Sequence, residues 1–171
     1  MKTRRADNEN RDAKEFLLLE NCLQAVGEVK GKRFFVYLSY SSEAPTDLLI
    51  STLIEKGAKV YSPRIEGEDM VAVPFGDDFT LSSYGIREPV GQAYTGEIDY
   101  IITPLLAVDL SGNRLGYGGG YYDRYFKKHP KATRVAYCFD FQIVKEVYAE
   151  TWDEKIDYIV TDKQIIRTQE R

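Results

Sequence analysis

Hydrophobic spacing along the chain alternates between a helical and an extended rhythm. From Phe16 to Val26, FLLLENCLQAV, apolar residues recur at the three- and four-residue intervals of an amphipathic helix and stop at Gly27; RFFVYL (33–38) then runs apolar as a buried strand does. Pro45 opens a second helical pattern, PTDLLISTLIEKG, which ends at Gly57 ahead of a strand at AKVYS (58–62). Further strands are predicted at DMVAVPF (69–75), IDYIITPLL (98–106), RVAYCF (134–139) and IDYIVT (156–161). YYDRYFKK (121–128) reads as a short helix, and another helix is expected around QIVKEVYAE (142–150). Strands alternating with helices predict an α/β layered fold with a largely parallel sheet and an antiparallel addition from the 69–75 region. In such sheets ligands collect where loops leave the carboxyl ends of strands. That singles out SYSSEAPT after the first strand and the glycine-rich stretch after IDYIITPLL, which share one edge if their strands are parallel. The placement of a third loop, around TWDEKIDY, stays open.

The bulk numbers narrow the class. A chain of 171 residues, 43% hydrophobic and 29% charged, is read as one domain spanning 1–171. A net charge of −4 and a pI near 5.2 lack the positive excess of a general nucleic-acid or anionic-membrane binder. The start, MKTRRADNENRDAKEF, has no apolar signal-peptide core, and no segment approaches the roughly 20 apolar residues of a membrane span. The expectation is a soluble, cytoplasmic protein without nucleic-acid or membrane partners, and a monomer. Cys22 and Cys138 match no zinc or redox spacing and read as reduced, packed thiols. The lone His129, within KKHPK, reads as a solvated loop residue rather than a catalytic base.

GNRLGYGGGYYDRYF (112–126) concentrates the candidate chemistry, with five glycines in nine positions. Gly116, Gly118, Gly119 and Gly120 lie just before a predicted helix, where bare main-chain N–H groups suit phosphate oxygens and the helix dipole favours an anion. The spacing matches neither the Walker nor the dinucleotide fingerprint. Arg114 supplies a fork of donors suited to phosphate, and Asp123 a carboxylate suited to a magnesium ion. A mobile glycine turn carrying a surface ion pair explains the same residues, and spacing does not choose between the two. Tyr117, Tyr121 and Tyr122 suit stacking on a pterin or adenine ring, although core packing also accounts for each.

Taken whole, GNRLGYGGGYYD resembles the signature of the 5-formyltetrahydrofolate cyclo-ligase family, also called methenyltetrahydrofolate synthetases. Ordered matches continue through YLSYSSEAPT (37–46), KVYSPR, GIREP (85–89), IDYIITPLLAVD and FQIVKEVYAETWDEKIDYIVTD, spanning roughly residues 33–162. The resemblance implies a single three-layer α/β/α domain, NagB/RpiA/CoA transferase-like, with a largely parallel central sheet. It also implies ATP- and magnesium-dependent conversion of 5-formyltetrahydrofolate to 5,10-methenyltetrahydrofolate with release of ADP and phosphate. By position, Arg114, Leu115, Gly116, Tyr117, Gly118, Gly119, Gly120, Tyr121 and Tyr122 fall on the family's ATP loop, and Tyr117 through Tyr121 also fall where the family contacts folate. Asp123 and Asp153 fall on its magnesium ligands, Leu38 and Glu43 on its substrate contacts; Arg114, Tyr122 and Asp123 are the implied catalytic residues. A carboxylate such as Glu43 suits the N–H edge of a pterin.

Two departures stand out. The family's basic N-terminal helix reaches ATP phosphates, but here the region ahead of RFFVYL is shorter by about one or two helical turns or more. Lys2, Arg4, Arg5 and Arg11 therefore read as a solvated charged tail. Pro45 also stands where the family often has an acidic residue. Beside the active cyclo-ligase, two other readings stay open: a folate-binding or regulatory relative without turnover, and a sugar-phosphate isomerase or acyl-transfer enzyme sharing the layered fold.

Overall fold

The computed structural model describes residues 10–168. Along the chain run α1 (Arg11–Val26), β1 (Arg33–Val36), α2 (Asp47–Glu55), β2 (Lys59–Glu66), β3 (Asp69–Pro74), β4 (Phe79–Leu81), β5 (Arg87–Pro89), β6 (Tyr100–Thr103), β7 (Ala107–Val108), β8 (Arg114–Leu115), α3 (Tyr121–Lys128), β9 (Thr133–Tyr137), β10 (Tyr158–Val160) and β11 (Ile165–Arg167). Seven strands form one sheet in the order β11-β10-β9-β6-β1-β2-β3. The interior pairs are parallel. Antiparallel β3 and β11 close the two edges. The antiparallel addition from 69–75 is thus as expected, while the β11 edge and the β4–β5 and β7–β8 hairpins had no signal in the spacing.

Strand alternation divides the core between two faces. Phe34, Val36, Val60, Ile102 and Val135 point to the face covered by α1 and α2, against Leu18, Leu19, Cys22, Leu49, Ile50 and Leu53. Phe35, Tyr61, Ile101, Ala136 and Ile159 point to the opposite face, against Tyr125 and Phe126 of α3. Helices on both faces make the three layers of the expected fold. Phe35 is fully buried and stacks on Tyr125 at 4.3 Å between ring centres. Truncating it to alanine would cost about 3–5 kcal/mol.

One predicted element is overturned. The helix expected around QIVKEVYAE does not form; a single 3-10 turn, Asp140–Gln142, is followed by irregular chain. The N–H groups an α-helix would use internally are taken elsewhere. Val144 N–H donates to the Val108 carbonyl at 2.9 Å, Val147 N–H donates to Asp109 Oδ2 at 3.0 Å, and the Gln142 side chain donates to the Leu105 carbonyl at 2.9 Å. Tertiary hydrogen bonds to the β7–β8 hairpin outcompete local helix propensity.

Both cysteines are buried free thiols, as read from their spacing. Burial pushes the Cys22 thiol up to about 12, so it stays protonated and inert. His129 closes the C-terminus of α3, half-buried and 4.5 Å from the Tyr125 ring, so it is packed rather than fully solvated. Burial and then Lys128 push its pKa down, and a helix length separates it from Asp123.

Candidate active site

The sheet order reverses between β1 and β6: from β1 the chain proceeds outward to β2 and β3, and from β6 outward the other way to β9 and β10. A crevice at this switch point, at the carboxyl ends of the strands, is where open α/β sheets bind ligands. The loops after β1 and β6 both leave there, as their parallel pairing requires.

The loop after β1 is held by its own side chains. Tyr37 hydroxyl donates to the Ala44 carbonyl at 2.6 Å, and Thr46 hydroxyl donates to the Tyr37 carbonyl at 2.7 Å, both within buried surroundings. Tyr40 N–H donates to Glu43 Oε1 at 2.8 Å, which fixes the carboxylate at the loop's rim. Burial first, then the Glu43 charge, pushes the phenols of Tyr37 and Tyr122 up, so both stay neutral donors. Leu38 is 4% exposed and its side chain belongs to the core beneath the loop.

The glycine-rich loop is built on Asp109. Its carboxylate is 4% exposed and accepts the N–H groups of Ser111, Asn113 and Val147 at 3.1, 3.0 and 3.0 Å. Burial alone would raise this carboxyl, but those donors hold it below the usual carboxylate value. From β8, Arg114 Nη1 donates to the Pro104 carbonyl at 2.9 Å, with its guanidinium 5.4 Å from the Tyr122 ring centre.

The glycines serve distinct purposes. A Cβ on Gly116 would lie 2.7 Å from Arg114 Nη1, one on Gly119 2.8 Å from the Tyr121 ring, and one on Gly120 2.8 Å from Arg124 Nη1. Neighbouring side chains lie across these three, and Gly120 also has φ +70°. Gly118 differs: its φ is +93° and nothing lies within 4 Å of a Cβ built there. It is the one position of the run with both an unusual backbone angle and open space around it. Gly120 then starts α3 with no side-chain cap, so the first-turn amides have no capping side chain.

Asp123, in that first turn, accepts the Glu154 N–H through Oδ1 at 3.0 Å. This bond answers where the third loop goes: it runs back along α3 before entering β10. Asp153 is fixed by a turn in which Glu150 N–H donates to Asp153 Oδ2 at 2.9 Å and Asp153 N–H to the Glu150 carbonyl at 3.1 Å. Burial lowers the pKa of the Arg114 guanidinium, and Asp123, Tyr122, Tyr117 and Asp153 oppose that shift in decreasing order, so both carboxylates act on Arg114. Among the described residues no group of three His, Cys, Asp or Glu side chains gathers as a metal cage. Two carboxylates beside a glycine-rich loop are nonetheless a donor set that suits magnesium when a nucleotide supplies the other ligands, because the ion keeps waters and phosphate oxygens.

The two loops meet. Tyr117 hydroxyl donates to Glu43 Oε2 at 3.2 Å across the crevice. Arg11 also arrives here: Nη2 donates to the Glu43 carbonyl at 2.5 Å, and the guanidinium lies 5.1 Å from the Phe139 ring centre. Arg11 is therefore no solvated tail residue; α1 begins with it and carries it to the rim of the crevice. Lys2, Arg4 and Arg5 lie outside the described residues. Spacing missed Arg11, in a polar stretch without apolar rhythm, and Asp109, although DLSGN carries an Asx-turn signal.

A sequence profile of the 5-formyltetrahydrofolate cyclo-ligase family matches residues 1–162. The chain belongs to this family. A cyclo-ligase of Mycolicibacterium smegmatis is 32% identical over 151 residues, covering 80% of this chain and 77% of the relative. The Escherichia coli K12 cyclo-ligase is 32% identical over 141 residues, covering 76% and 78%. Among solved structures, the 5,10-methenyltetrahydrofolate synthetase of Aquifex aeolicus superposes with a TM-score of 0.83 at 26% identity, covering 99% of this chain and 90% of its own. The cyclo-ligase fold and the three-layer reading of the sheet therefore agree.

Proposed function

We propose that this cyclo-ligase family member closes 5-formyltetrahydrofolate to 5,10-methenyltetrahydrofolate at the expense of ATP, with magnesium, releasing ADP and phosphate. The observation that carries the reading is the Tyr117–Glu43 hydrogen bond, which brings a carboxylate suited to a pterin within one side chain of a loop suited to phosphates. Glu43 accepts the N–H edge of the pterin. Gly118 and the uncapped start of α3 receive the terminal phosphates, and Arg114 supplies positive charge beside them. Asp123 and Asp153 would hold magnesium, which supplies neutralisation of the phosphate charge when bound.

In the reaction the formyl oxygen attacks the γ-phosphorus and the bond to ADP breaks. The neighbouring folate nitrogen then attacks the formyl carbon and loses its proton, and the carbon–oxygen bond to phosphate breaks. The protein's task is in-line positioning and exclusion of water, a task that calls for no Ser, Cys or His nucleophile. Tyr122, kept neutral by burial, supports the Arg114 guanidinium with its ring rather than acting as a base. Among the described residues no helix is long and apolar enough to cross a membrane. We read the enzyme as a cytoplasmic monomer acting on small molecules.

Mixing the protein with 5-formyltetrahydrofolate, ATP and magnesium tests this by the near-ultraviolet absorbance of the methenyl product. A rise that needs all three supports the reading. No rise at high enzyme concentration, with folate still bound by calorimetry, would instead identify a relative without turnover.

A further inference from the structure

Among the described residues Arg134, on β9, is the bulkiest fully buried side chain, 2% exposed, and the chemistry above makes no use of it. A buried guanidinium is expensive to desolvate, and an apolar residue of similar volume would fill the same space at lower cost. What a guanidinium can do, and an apolar chain cannot, is bind main-chain carbonyls of separate segments through one rigid fork. Nη2 donates to the Phe126 carbonyl of α3 at 3.4 Å; Nη1 donates to the Lys155 carbonyl at 3.1 Å and lies 3.8 Å from the Glu154 carboxylate. Its plane sits 4.7 Å from the Phe126 ring centre. The main chain of Arg134 adds a further tie, its N–H donating to Asp157 Oδ2 at 2.9 Å.

These two partners are the carriers of the two candidate metal carboxylates. Phe126 stands three residues beyond Asp123 on the same helix, and Lys155 two residues beyond Asp153 on the same segment. The Glu154 N–H to Asp123 bond closes the frame from the other side at 3.0 Å. We propose that Arg134 is a positioning residue for the divalent ion: by clamping α3 to the 153–155 segment from beneath, it sets the separation of Asp123 and Asp153. The inference rests on the reading of those two carboxylates as metal ligands.

Trp152 is the single tryptophan of the chain and precedes Asp153, so quenching of its fluorescence by manganese(II), with ADP present, reports metal occupancy without turnover. Arg134→Lys keeps the charge but cannot span both carbonyls, and the manganese midpoint is expected to rise about tenfold, as for lost partners of metal ligands elsewhere. The KM for 5-formyltetrahydrofolate should stay within about twofold, separating a metal effect from a general one. Glu154→Ala keeps the Glu154 N–H bond to Asp123 and removes only the ion pair; a rise of about threefold is expected, less than for a lost direct partner. An unchanged midpoint in Arg134→Lys, with a lowered melting temperature, overturns the proposal and leaves Arg134 as a core residue. If Arg134→Lys does not fold, an unchanged midpoint in Glu154→Ala overturns it alone. A wild-type protein that shows no quenching, or an Asp123→Asn variant that quenches as the wild type does, overturns the metal reading itself.

Discussion

Gly112 offers a sharp test of how the glycine-rich loop is held. It stands at the tip between β7 and β8 with φ +89°. Its N–H donates to the Asp109 carbonyl at 3.0 Å, and its carbonyl accepts the Ile156 N–H at 2.9 Å. A Cβ at this position would lie 2.6 Å from the Ile156 carbonyl oxygen and 3.3 Å from its nitrogen. Both are main-chain atoms and neither can rotate aside, so Gly112→Ala must push the β7–β8 tip away from the segment leading into β10. The left-handed backbone costs about 1–2 kcal/mol. Overpacking against fixed atoms adds about 1–3 kcal/mol, and loss of the Ile156 hydrogen bond about 1 kcal/mol. Together the substitution should remove about 3–6 kcal/mol, a large share of a domain's typical 5–15 kcal/mol.

Gly67→Ala supplies the internal control. Gly67 has φ +65° in the turn between β2 and β3, and a Cβ there meets nothing within 4 Å. It carries the backbone term without the contact term. Urea unfolding of both variants should therefore differ by about 2–4 kcal/mol at unchanged slope. If Gly112→Ala loses no more stability than Gly67→Ala, the close approach to Ile156 does not hold the loop and the reasoning fails.

Three further outcomes follow from the same geometry. Tyr117→Phe removes the hydroxyl that occupies Glu43 Oε2, so the KM for 5-formyltetrahydrofolate should fall by about two- to fivefold, the value of one exposed hydrogen bond; a rise would mean that the hydroxyl serves the substrate instead. Gly118→Val places its side chain in open space, so the protein should fold with a loss of about 1–2 kcal/mol while nucleotide affinity in calorimetry drops by at least about tenfold; full affinity would refute the phosphate assignment. Asp109 has a folded pKa below its ordinary value of 3.8, so its contribution to stability is present above that value and is lost as pH falls through the folded value. Asp109→Asn should accordingly melt lower than wild type at neutral pH, with the gap narrowing on acidification below pH 3.8, and a gap independent of pH would refute the carboxylate's role.

How much of this was legible in the sequence depends on which bonds hold each part. The helices α1 and α2 and the strands β1, β2 and β6 are held by apolar burial, which leaves a period, and they formed where the period put them. YYDRYFKK matched its helix because the glycines set the start and His129 and Pro130 the stop. The 142–150 segment carries helix-like spacing, yet its N–H groups serve Val108 and Asp109, and nothing local in QIVKEVYAE records partners about 36 residues away. Arg11 was missed for the opposite reason: it lies in a polar stretch, RDAKE, that extends α1 beyond its apolar face. Within the site, composition could flag the glycine run but not divide it. Only coordinates separate Gly116, Gly119 and Gly120, which accommodate neighbouring side chains, from Gly118, which faces open space.

The charge balance of the crevice bears on how nucleotide and metal binding depend on each other. Glu43, Asp123 and Asp153 face a loop whose own cation is Arg114, and Asp123 and Asp153 already favour that guanidinium's charged form. A nucleotide without a divalent ion would bring its phosphates toward two carboxylates and a guanidinium they have partly neutralised, so free ATP gains little there. On the proposed reading Asp123 and Asp153 would hold magnesium, and the ion would offset their charge beside the phosphates and Arg114. By linkage, the factor by which magnesium tightens nucleotide binding must equal the factor by which nucleotide tightens magnesium binding. Calorimetry of ATP with and without magnesium, beside manganese titrations with and without ADP, should therefore both show strong coupling; nucleotide binding indifferent to the metal would place Asp123 and Asp153 outside the site.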